Sequence, residues 1–575
     1  MSGNDISGCS GMGGGDSVQK LRSLHSAPSA HTATPDGVAA HAVLDAPDSA
    51  ASDSLRSLHS VPSAHTATPD GVAAHAVLDA PLGSVLILGL GKSGKAAARY
   101  CCELLGSRVS RMFVAAGAET DDSHAFLDEL ASTGAVFSYA FGDDALETVD
   151  DAFDLCIASP GIPYWHPLYQ AGLAHSVQLI SEVEFAWRES APDSIWVAIT
   201  GTNGKTTTTA CTAAVLREAG FAADAVGNIG DVCLNAVAAG KTQVYVAEVS
   251  SYQLYSTIDF APDVAVLMNI TPDHIHWHKT IEAYAEAKFK LLANLGKTGQ
   301  RAPSAGPRVP VAILDATNDV VRAKVREIKA VPADERRFAY IPMGTKAGIE
   351  GDMRAACGAD NAAFLGEDGM LHVAYLGIDH AILPAADLQI PGRHNVGNAL
   401  LAAAVAVTLG ADDAAIARGL ASFAPIEHRI EPCGIVHGAA CYNDSKATNV
   451  DATLKALEAF PEARPIVLLG GDDKGTDLDE LVAAVHAHTR AAVCFGEAGP
   501  RFAAALRGDT APAGFTLIEA AHMEDALDAA LSIAGAGDIV LLSPACASFD
   551  EFRSFEHRGD EFKRMVRERA DRQGV

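Results

Sequence analysis

Short runs of β-branched and aliphatic residues alternate with alanine-rich stretches of helical periodicity from about residue 82 onward. Runs such as SVLILG, SIWVAIT and PIVLLGG are apolar at nearly every position, which is typical of strands that are buried on both faces of a parallel sheet. The stretches that follow them, such as KAAARYCCELLG, predict crossover helices. The pattern therefore predicts an α/β protein with largely parallel sheets.

We divide this part of the chain into three α/β blocks, which span residues 82–191, 192–424 and 425–575. A chain of 575 residues is long enough for several cores. The segment KTGQRAPSAGPRVP, inside the second block, predicts a loop because proline and glycine interrupt any regular period there.

The first 81 residues have a different character. The 27-residue segment 21–47 recurs at 55–81 with a single change, Ala27 against Val61. Two copies are too few for a solenoid, and the unit is rich in Ser, Ala, His and Pro, so we expect a disordered extension. A histidine-bearing metal or partner motif and a start codon assigned too far upstream are the alternatives.

The amino terminus has neither the basic start nor the apolar stretch of a secretory signal, so we expect a cytoplasmic location.

Composition narrows the classes of function. The chain is 49% hydrophobic and 20% charged, and it has no apolar run near the roughly 18 residues of a membrane span. A formal net charge of −29 argues against non-specific binding to nucleic acid or anionic lipid. The eleven cysteines lack paired CxxC spacing and are expected to be reduced thiols. We expect a monomer that acts on small molecules and binds anions through local cations and amides.

A glycine-rich loop separates the predicted strand SIWVAIT from the predicted helix TTTTACTAAVLREAG. Such a loop turns successive backbone N–H groups towards a phosphate, and the following helix adds the positive end of its dipole. In this pattern Lys205 reaches the β- and γ-phosphates, and the Thr206 hydroxyl is a ligand of Mg²⁺. The usual spacing, GxxxxGK[ST], has glycine where this chain has Ile199, so the loop is a shortened variant. A plain glycine turn is the alternative.

Two further predicted strands end near residues that suit a metal ion. Glu248 ends the apolar run VYVAE, a position suited to hold Mg²⁺ directly or through water; a polar residue that merely ends the strand is the alternative. The strand VAVLMN is followed by His274, His276 and His278. Their alternating spacing is compatible with zinc, but no cysteine or carboxylate pattern supports it. We expect two of the three histidines to lie in a loop.

The segment TIEAYAEAKFKLLANL predicts a helix on which Lys288 shares a face with Tyr284, Leu291 and Leu292. A charged lysine on an apolar face is unfavourable, which favours the neutral amine. From these residues alone, the preferred interpretation is a surface lysine whose amine reaches water.

A second glycine pattern, GLGKSG, follows the strand SVLIL and matches GxGxxG. A dinucleotide site of this type has an acidic residue at the end of the next strand, and SRVSRMFVAAGAE offers none before Glu119. The NAD interpretation is therefore weakened, whereas a pyrophosphate at the helix N-terminus is still expected. Another strand ends at CIASPGIP, the segment of Ser159, Pro160 and Gly161, and this segment is placed to add amide donors.

With these motifs in order, the chain resembles the Mur ligase family from about residue 83 to 570. GTNGKTT is the form of the ATP loop shared by that family and the folate polyglutamate ligases, so the absent glycine is a family feature. The segments YNDSKATNVDAT, LLGGDDKGTD and LLSPACASFDEFRSFEHRGDEF are similar to the branch that adds D-glutamate, and the DNPR and HHP motifs of other branches are absent. The resemblance implies Rossmann-like first and third blocks around a central block like a P-loop ATPase.

The resemblance also implies the roles of individual residues. For catalysis and Mg²⁺ it implies Lys205, Glu248, His274 and Lys288, with Thr206 as a further ligand and Lys288 carrying a carbamate. For ATP it implies Gly201, Thr202, Asn203, Gly204, Lys205, Thr206, Thr207, Asn395, Asn398, Arg429, Asp444 and Lys446. For the UDP-linked substrate it implies Gly91, Lys92, Ser93, Ser159, Gly161, Asn228 and Ser250. For D-glutamate it implies Thr448, Lys474, Ser548 and Phe555. Contacts to uracil are not assigned, because the acid after the second strand is missing.

The implied reaction is the ATP-dependent addition of D-glutamate to UDP-N-acetylmuramoyl-L-alanine in the synthesis of peptidoglycan precursors. It passes through an acyl phosphate and releases ADP and phosphate, with ATP and two Mg²⁺ ions as expected cofactors. Closure of the three blocks about residues 424–430 is a further hypothesis. Another Mur ligase, a folate polyglutamate ligase, an NAD-dependent oxidoreductase and a non-catalytic ATP-binding module are the alternatives. The SKATN and SPACASFDEF segments argue against the folate ligase, and the ATP loop argues against the oxidoreductase.

Overall fold

A computed structural model describes most of the chain downstream of the repeated segment. The described residues are 80–117, 119–147, 149–150, 152–297, 309–344, 361–390, 392–460, 463–472, 475, 477–508 and 512–572, without the side chain of His276. The expected disordered extension lies outside this range up to residue 79, as does most of the predicted loop KTGQRAPSAGPRVP.

The first sheet contains five parallel strands. They are β1 Gly83–Leu88, β2 Val109–Ala116, β3 Ser138–Phe141, β4 Phe153–Ala158 and β5 Ser176–Ser181, in the order β3-β2-β1-β4-β5. The helices are α1 Lys92–Glu103, α2 Asp121–Ser132, α3 Pro167–Ala174 and α4 Glu182–Glu189. The strand order changes direction between β1 and β4, so the GLGKSG turn and the loop after β4 lie side by side at the carboxyl edge, where nucleotide-binding sheets hold ligands.

The central sheet contains nine strands. They are β6 Ile195–Thr200, β7 Ala223–Gly227, β8 Val244–Glu248, β9 Val264–Leu267, β10 Val311–Asp315, β11 Ala339–Gly344, β12 Ala362–Leu365, β13 Met370–Tyr375 and β14 Ile378–Pro384. Their order is β14-β13-β12-β11-β10-β9-β6-β8-β7, and β6 is parallel to both β8 and β9. The described helices are α5 Lys205–Glu218, α6 Cys233–Ala239, α7 Ser251–Tyr255, α8 Ile275–His278, α9 Ile281–Ala293, α10 Asp319–Ala330, α11 Arg393–Thr408 and α12 Asp413–Ser422. Apolar side chains pack on both faces of this sheet.

The third sheet contains six strands. They are β15 Glu431–Val436, β16 Ala439–Asn443, β17 Ile466–Gly470, β18 Ala491–Phe495, β19 Thr516–Glu519 and β20 Ile539–Leu542, in the order β15-β16-β20-β17-β18-β19. The helices are α13 Val450–Glu458, α14 Asp479–His488, α15 Gly499–Leu506, α16 Met523–Ile533 and α17 Phe555–Asp571. All neighbouring pairs are parallel except β15 and β16.

The predicted fold class is confirmed, because three sheets of largely parallel strands alternate with helices. The antiparallel edges β12–β14 and β15–β16 were not predicted. Two of their turns are two-residue hairpins, Leu376-Gly377 and His437-Gly438, in which both residues have positive φ. This is the geometry of a type I′ turn, which usually has Asn or Asp before Gly. Leu376 and His437 occupy that position instead, so the sequence gives only a weak indication of these hairpins. The block boundaries at 191/192 and 424/425 stay predictions.

The structure also bears on two features of the composition, the apolar content of the helices and the cysteines. No helix in the described part of the chain is long and apolar enough to cross a membrane. The nine cysteines that the structure describes are all free thiols.

Candidate active site

The glycine-rich loop lies where β6 ends and α5 begins. Ile199 is a fully buried strand residue that pairs with Glu248 of β8, so the strand occupies the position at which the longer loop pattern has glycine. Gly204 caps α5 with a φ of 83°. A Cβ at this residue would lie 2.7 Å from both Asn398 Oδ1 and Met268 Cε. Glycine is therefore favoured at 204 by its backbone conformation, and a Cβ there would also displace the ends of the Asn398 and Met268 side chains.

Two neighbouring segments hold the loop in place. The Thr202 N–H donates to the carbonyl oxygen of Asn269 at 2.7 Å, and the Asn203 N–H donates to Asn269 Oδ1 at 2.8 Å. Lys205 Nζ donates to the Thr202 carbonyl oxygen at 2.8 Å, so the side chain folds over its own loop. Burial lowers the pKa of Lys205, while the Glu248 carboxylate opposes that shift. The loop amides and this amine form a preformed anion site at a helix N-terminus.

Glu248 is the last residue of β8 and is 1% exposed. Its Oε1 accepts a hydrogen bond from Asn228 Nδ2 at 3.0 Å. Its Oε2 is buried and has no hydrogen-bond partner among the residues that the structure describes. A buried carboxylate oxygen without a donor is costly unless a cation completes it, and carboxylate oxygen is the ligand that Mg²⁺ prefers. With the Thr206 hydroxyl and the phosphate loop nearby in the same cavity, this donor set fits Mg²⁺.

His274 lies at the rim of the same cavity. It caps the short helix α8 with a φ of 54°, in the left-handed region. Asp273 holds this turn, because its Oδ1 accepts the His274 N–H at 2.8 Å and its Oδ2 lies 3.5 Å from His274 Nε2. His276 and His278 are helical, so the expectation that two of the three histidines lie in a loop is wrong. His278 is buried, with Nε2 2.9 Å from Ser251 Oγ.

Lys288 is 1% exposed, so its interpretation as a surface lysine is wrong. It lies behind the loop, on α9, where Nζ donates to the Gly201 carbonyl oxygen at 2.7 Å and lies 4.6 Å from the centre of the Tyr284 ring. Burial, reinforced by the nearby Lys205 charge, holds the pKa of Lys288 well below its usual value. The amine is therefore biased towards its neutral form, as the apolar face of this helix predicts.

The segment that follows α12 lies across the cavity from the loop. Arg429 lies between His428 and Ile430, both with positive φ, which is unusual for non-glycine residues and rare for a β-branched one.

Asp444 accepts from Ser543 Oγ at 2.8 Å, and burial raises its pKa to about 7. Lys446 Nζ lies 3.5 Å from the centre of the Phe555 ring, and burial lowers its pKa to about 8.

These residues line one cavity of about 220 Å³ between the carboxyl edges of the central and third sheets. The cavity brings together the residue Asn228, predicted for the UDP-linked substrate, and the predicted ATP, metal and amino-acid residues Thr202, Asn203, Gly204, Lys205, Thr206, Thr207, Glu248, His274, Asn395, Asn398, Arg429, Asp444, Lys446 and Thr448. An adjoining cavity of about 410 Å³ shares five of its lining residues, namely Asn203, Gly204, His394, Asn398 and Lys455. Asn398 Nδ2 donates to Asn395 Oδ1 at 2.8 Å, so the predicted adenine pair forms one unit.

Other predicted residues do not line this cavity. Gly91 and Lys92 form the N-terminus of α1, with Ser93 in its first turn, and Ser159 Oγ donates to the Gly89 carbonyl oxygen at 3.1 Å. Ser250 caps α7 through Gln253. Ser548 is buried, and Gly161 and Phe555 also lie outside the cavity lining. Lys474 is outside the described residues. Titratable residues that line the two cavities and that sequence reasoning missed include Asp273, His394, Asp451 and Lys455.

Helix α1 explains the third glycine of GLGKSG. A Cβ on Gly94 would lie 1.8 Å from the Gly89 carbonyl oxygen, so only glycine allows the helix to approach the β1 turn this closely. The N-terminus of α1 is consequently open to a ligand at the carboxyl edge of the first sheet, although the acidic partner of a dinucleotide site is absent.

The fold and the site define a nucleotide-dependent enzyme in which a phosphate loop faces a cavity with cations and a free carboxylate oxygen. The Mur ligase middle domain matches residues 199–406, and the Mur ligase glutamate ligase domain matches residues 428–546. The chain belongs to the Mur ligase family.

The curated relatives specify the branch of that family. A protein of Streptococcus mutans named "UDP-N-acetylmuramoylalanine--D-glutamate ligase" is 36% identical over 484 residues, which cover 83% of this chain and 95% of the relative. A relative of the same name in Geobacillus is 34% identical and covers 83% of this chain and 96% of its own length. A Thermotoga maritima UDP-N-acetylmuramate-alanine ligase structure is 17% identical, with a TM-score of 0.47 over 85% of this chain and 99% of that one.

Proposed function

We propose that the protein is the ATP-dependent ligase that adds D-glutamate to UDP-N-acetylmuramoyl-L-alanine for peptidoglycan precursor synthesis. The name and near-complete coverage of the curated relatives support the substrate pair. The structural observation that carries the proposal is the cavity in which the phosphate loop faces Arg429, Lys446 and Thr448 across Glu248. An enzyme that activates a carboxylate with ATP and then transfers it to an amine needs both halves of this cavity.

ATP binding is proposed at the two adjoining cavities. The amides of Gly204, Lys205, Thr206 and Thr207, together with the Lys205 amine, hold the phosphates. Gly201, Thr202 and Asn203 complete the loop, and the N–H groups of Thr202 and Asn203 fix it to Asn269. Asn395 and Asn398 hold the adenine where the two cavities meet, since Asn395 lines the first cavity and Asn398 lines both. Arg429, Asp444 and Lys446 approach the nucleotide from the third sheet. In phosphoryl transfer the protein contributes positioning and charge neutralisation more than covalent chemistry. Cations on two sides of the cavity can neutralise the charge of the phosphates.

Mg²⁺ binding is proposed at Glu248, Thr206 and His274. Bound there, the ion would supply charge neutralisation of the transferred phosphoryl group. Asn228 orients Glu248 by donating to Oε1, which leaves Oε2 for the ion, and Asp273 fixes the turn of His274. Such supporting bonds keep ligands in one rotamer.

A carbamate on Lys288 is proposed as a ligand for a second Mg²⁺ ion. The neutral amine adds to carbon dioxide, forming an N–C bond and releasing one proton, and the product is an anion. The lowered pKa supplies the neutral amine. Nζ donates to the Gly201 carbonyl oxygen, and the carbamate retains one N–H that can keep this bond while its carboxylate is free to bind the ion.

The first chemical step is the transfer of the γ-phosphoryl group to the carboxylate of the substrate's alanine, which gives an acyl phosphate and ADP. The amine of D-glutamate then attacks the acyl carbon, and phosphate leaves as the amide forms. Thr448, Lys474, Ser548 and Phe555 are the proposed D-glutamate contacts. The UDP-linked substrate is proposed to extend from Gly91, Lys92, Ser93, Ser159 and Gly161 to Asn228 and Ser250. Donors aimed at the developing oxyanion and phosphate supply most of the rate enhancement in reactions of this type.

Phosphate release tests the proposal. UDP-N-acetylmuramoyl-L-alanine with D-glutamate, ATP and Mg²⁺ is expected to yield ADP and phosphate, whereas L-glutamate is expected to yield none. Mass spectrometry of the product should show one added glutamate. Turnover with L-glutamate, or with a folate acceptor only, would overturn the assignment.

A further inference from the structure

Asp451, in the first turn of α13, contacts the phosphate loop from the third sheet's side. Its Oδ2 accepts hydrogen bonds from the Asn203 side-chain amide, from Thr271 Oγ1 at 3.2 Å and from Lys455 Nζ at 3.0 Å. Asn203 is 248 residues away in sequence and belongs to the loop itself. A single carboxylate oxygen thus connects two parts of the molecule that the sheets do not join.

The two central-sheet partners of Asp451 are themselves connected. The Thr271 N–H donates to Thr202 Oγ1 at 3.0 Å, and Asn269 Nδ2 donates to the Asn203 carbonyl oxygen at 3.1 Å. The backbone of the loop is therefore held from the central sheet, and the Asn203 side chain is held from α13. The loop is thus held from two sides, and Asp451 is its contact with α13.

The charge of Asp451 is balanced within the same helix. Lys455 lies one turn further on and lines both adjoining cavities, so the pair adds no net negative charge beside the proposed phosphates. Hydrogen bonds to a carboxylate are shorter and stronger than those between neutral groups. The carboxylate strengthens the bond to Asn203 without repelling the nucleotide.

We propose that Asp451 is a positioning residue that sets the phosphate loop in register with the segment Lys446–Thr448, which leads directly into α13. The inference rests on the proposed function, in which the loop holds ATP and Thr448 contacts D-glutamate. Asp451 lines the adjoining cavity, but its proposed role is exerted through Asn203 and the loop rather than on the reacting groups. In this role it fixes the distance between the carboxylate that ATP activates and the amine of D-glutamate that attacks it. A small error in that distance has a large effect on the rate.

Hydrogen exchange of the loop in the ligand-free protein tests the contact without any assumption about substrates. Asp451→Ala is expected to raise the exchange rate of a peptide covering residues 200–208 by about tenfold, the equivalent of one charge-assisted hydrogen bond. Asp451→Asn retains an oxygen that accepts from both Asn203 and Thr271, so its exchange should stay within about threefold of wild type. Asp525→Ala is the matched control, because Asp525 is an exposed residue in the first turn of α16.

Kinetics tests the role in the reaction. Asp451→Ala is expected to lower kcat about tenfold with a smaller change in KM for ATP, while Asp451→Asn recovers most of kcat and Asp525→Ala matches wild type. Equal loop exchange in Asp451→Ala and Asp525→Ala, or an Asp451→Asn variant as impaired as Asp451→Ala, would overturn the inference. A wild-type protein without ligase activity would refute the proposed function alone, since the exchange experiment still decides whether Asp451 holds the loop.

Discussion

Lys288 Nζ donates a hydrogen bond to the carbonyl oxygen of Gly201 at 2.7 Å, so a lysine of α9 lies directly behind the first residue of the phosphate loop. An amine this deeply buried is destabilising when charged. The same contact brings a reactive neutral amine next to the proposed metal ligands. Lys288 is therefore expected to reduce the stability of the fold when it is charged, at a position where its carbamate is proposed to act.

Substitution of Lys288 by methionine should separate these two effects. Lys288→Met keeps the side-chain length and removes the amine, so we expect phosphate release to fall by at least about a hundredfold, as for a lost electrostatic contact to the reacting group. Thermal unfolding is expected at an equal or higher temperature, because a buried polar group with unfavourable desolvation is gone. A variant with wild-type turnover would contradict the proposed role.

The pH dependence of stability gives an independent check on Lys288. The pKa of Lys288 in the folded protein lies well below the value of about 10.4 in the unfolded chain. The unfolded chain therefore binds more protons between these two values, and stability rises with pH across that window. The stability advantage of Lys288→Met over wild type should be largest at low pH and shrink as pH approaches 10. Urea unfolding of both proteins over a series of pH values measures it, and a constant difference would contradict the buried amine.

Glycine substitutions at the two ends of α5 should have unequal effects. Gly204 and Gly220 both have φ above 80°, so alanine strains the backbone at each, by about 1 kcal/mol. A Cβ at 204 would also collide with Asn398 and Met268, whereas a Cβ at 220 has no heavy atom within 4 Å. Gly204→Ala is expected to abolish binding of an ATP analogue in calorimetry, and Gly220→Ala to leave it unchanged. Equal binding by both variants would show that the loop tolerates the collision.

The loop could be predicted from sequence because its chemistry is local. Lys205 and Thr206 follow the glycines directly, and the strand and helix on either side have clear apolar patterns. Even Ile199, which breaks the usual loop pattern, has a local reason, since it is a buried strand residue. Contacts between Asn203 and Asp451 join positions 248 residues apart, and no periodicity near either residue indicates the other. The hairpin turns at Leu376 and His437 were missed because these residues seldom adopt positive φ.

Two buried glutamates of α4, Glu182 and Glu184, differ in the hydrogen-bond donors that surround their carboxylates. The periodicity of the sequence does not indicate this difference, which determines how each charge affects stability. Glu182 is buried against the N-terminus of α6, where one oxygen accepts the Leu234 N–H at 2.7 Å and the other has no partner among the described residues. Burial raises its pKa to about 7, with the Asp231 charge adding to the shift. Glu184, two residues further on, accepts from the Asp259 N–H at 2.9 Å, from the Ile258 N–H and from Arg188.

Glu182→Gln should therefore stabilise the protein at neutral pH. The folded-state pKa of Glu182 exceeds the unfolded value, so the folded state binds more protons and stability falls as pH rises from about 4.5 to about 7. Glutamine removes this loss, and the gain is expected to grow across that window to at most about 3 kcal/mol above it.

Glu184→Gln is the matched comparison. The Ile258 N–H and the Asp259 N–H donate to different oxygens of Glu184, and glutamine keeps only one of these acceptors. The substitution also removes the charge that pairs with Arg188, so a loss of about 1–3 kcal/mol is expected. Chemical denaturation at pH 5 and pH 8 measures both variants, and a Glu182→Gln gain that is equal at the two pH values would refute the linkage.

Arg558 is a buried cation that joins two loops of the proposed D-glutamate site. Its guanidinium donates to Ser445 Oγ and to the carbonyl oxygens of Ser445, Cys546 and Ala547, all at 2.9–3.0 Å. Lysine cannot reproduce this fork, so Arg558→Lys is expected to lower the free energy of unfolding by about 2–4 kcal/mol and to raise KM for D-glutamate. Arg569→Lys, on the same helix, should change stability by a smaller amount, about 1 kcal/mol. Arg569 pairs with the exposed carboxylates of Glu524 and Asp528 and donates to the Met565 carbonyl oxygen of its own helix. An unchanged KM in a folded Arg558→Lys variant would contradict the role in the site.

Lys446 should determine the alkaline limb of the pH profile. Burial lowers its pKa to about 8, with the nearby Arg429 charge adding to the shift. In the free enzyme the ammonium is therefore lost as pH rises past about 8, and with it a cation that faces the proposed phosphates. A bound anion stabilises the charged form and raises the pKa, so the limb is expected in kcat/KM for ATP, which reports the free enzyme, and less in kcat.

The arginine variant isolates this titration from that of Lys205, whose pKa is also lowered. In Lys446→Arg the guanidinium stays protonated throughout the measurable range, so the fall in kcat/KM that centres near pH 8 in the wild type should move to higher pH. The maximal rate need not be preserved, since the geometry of the guanidinium differs from that of an ammonium group. Only the position of the limb decides the assignment. A limb that stays near pH 8 in Lys446→Arg would assign the titration to another group in the cavity.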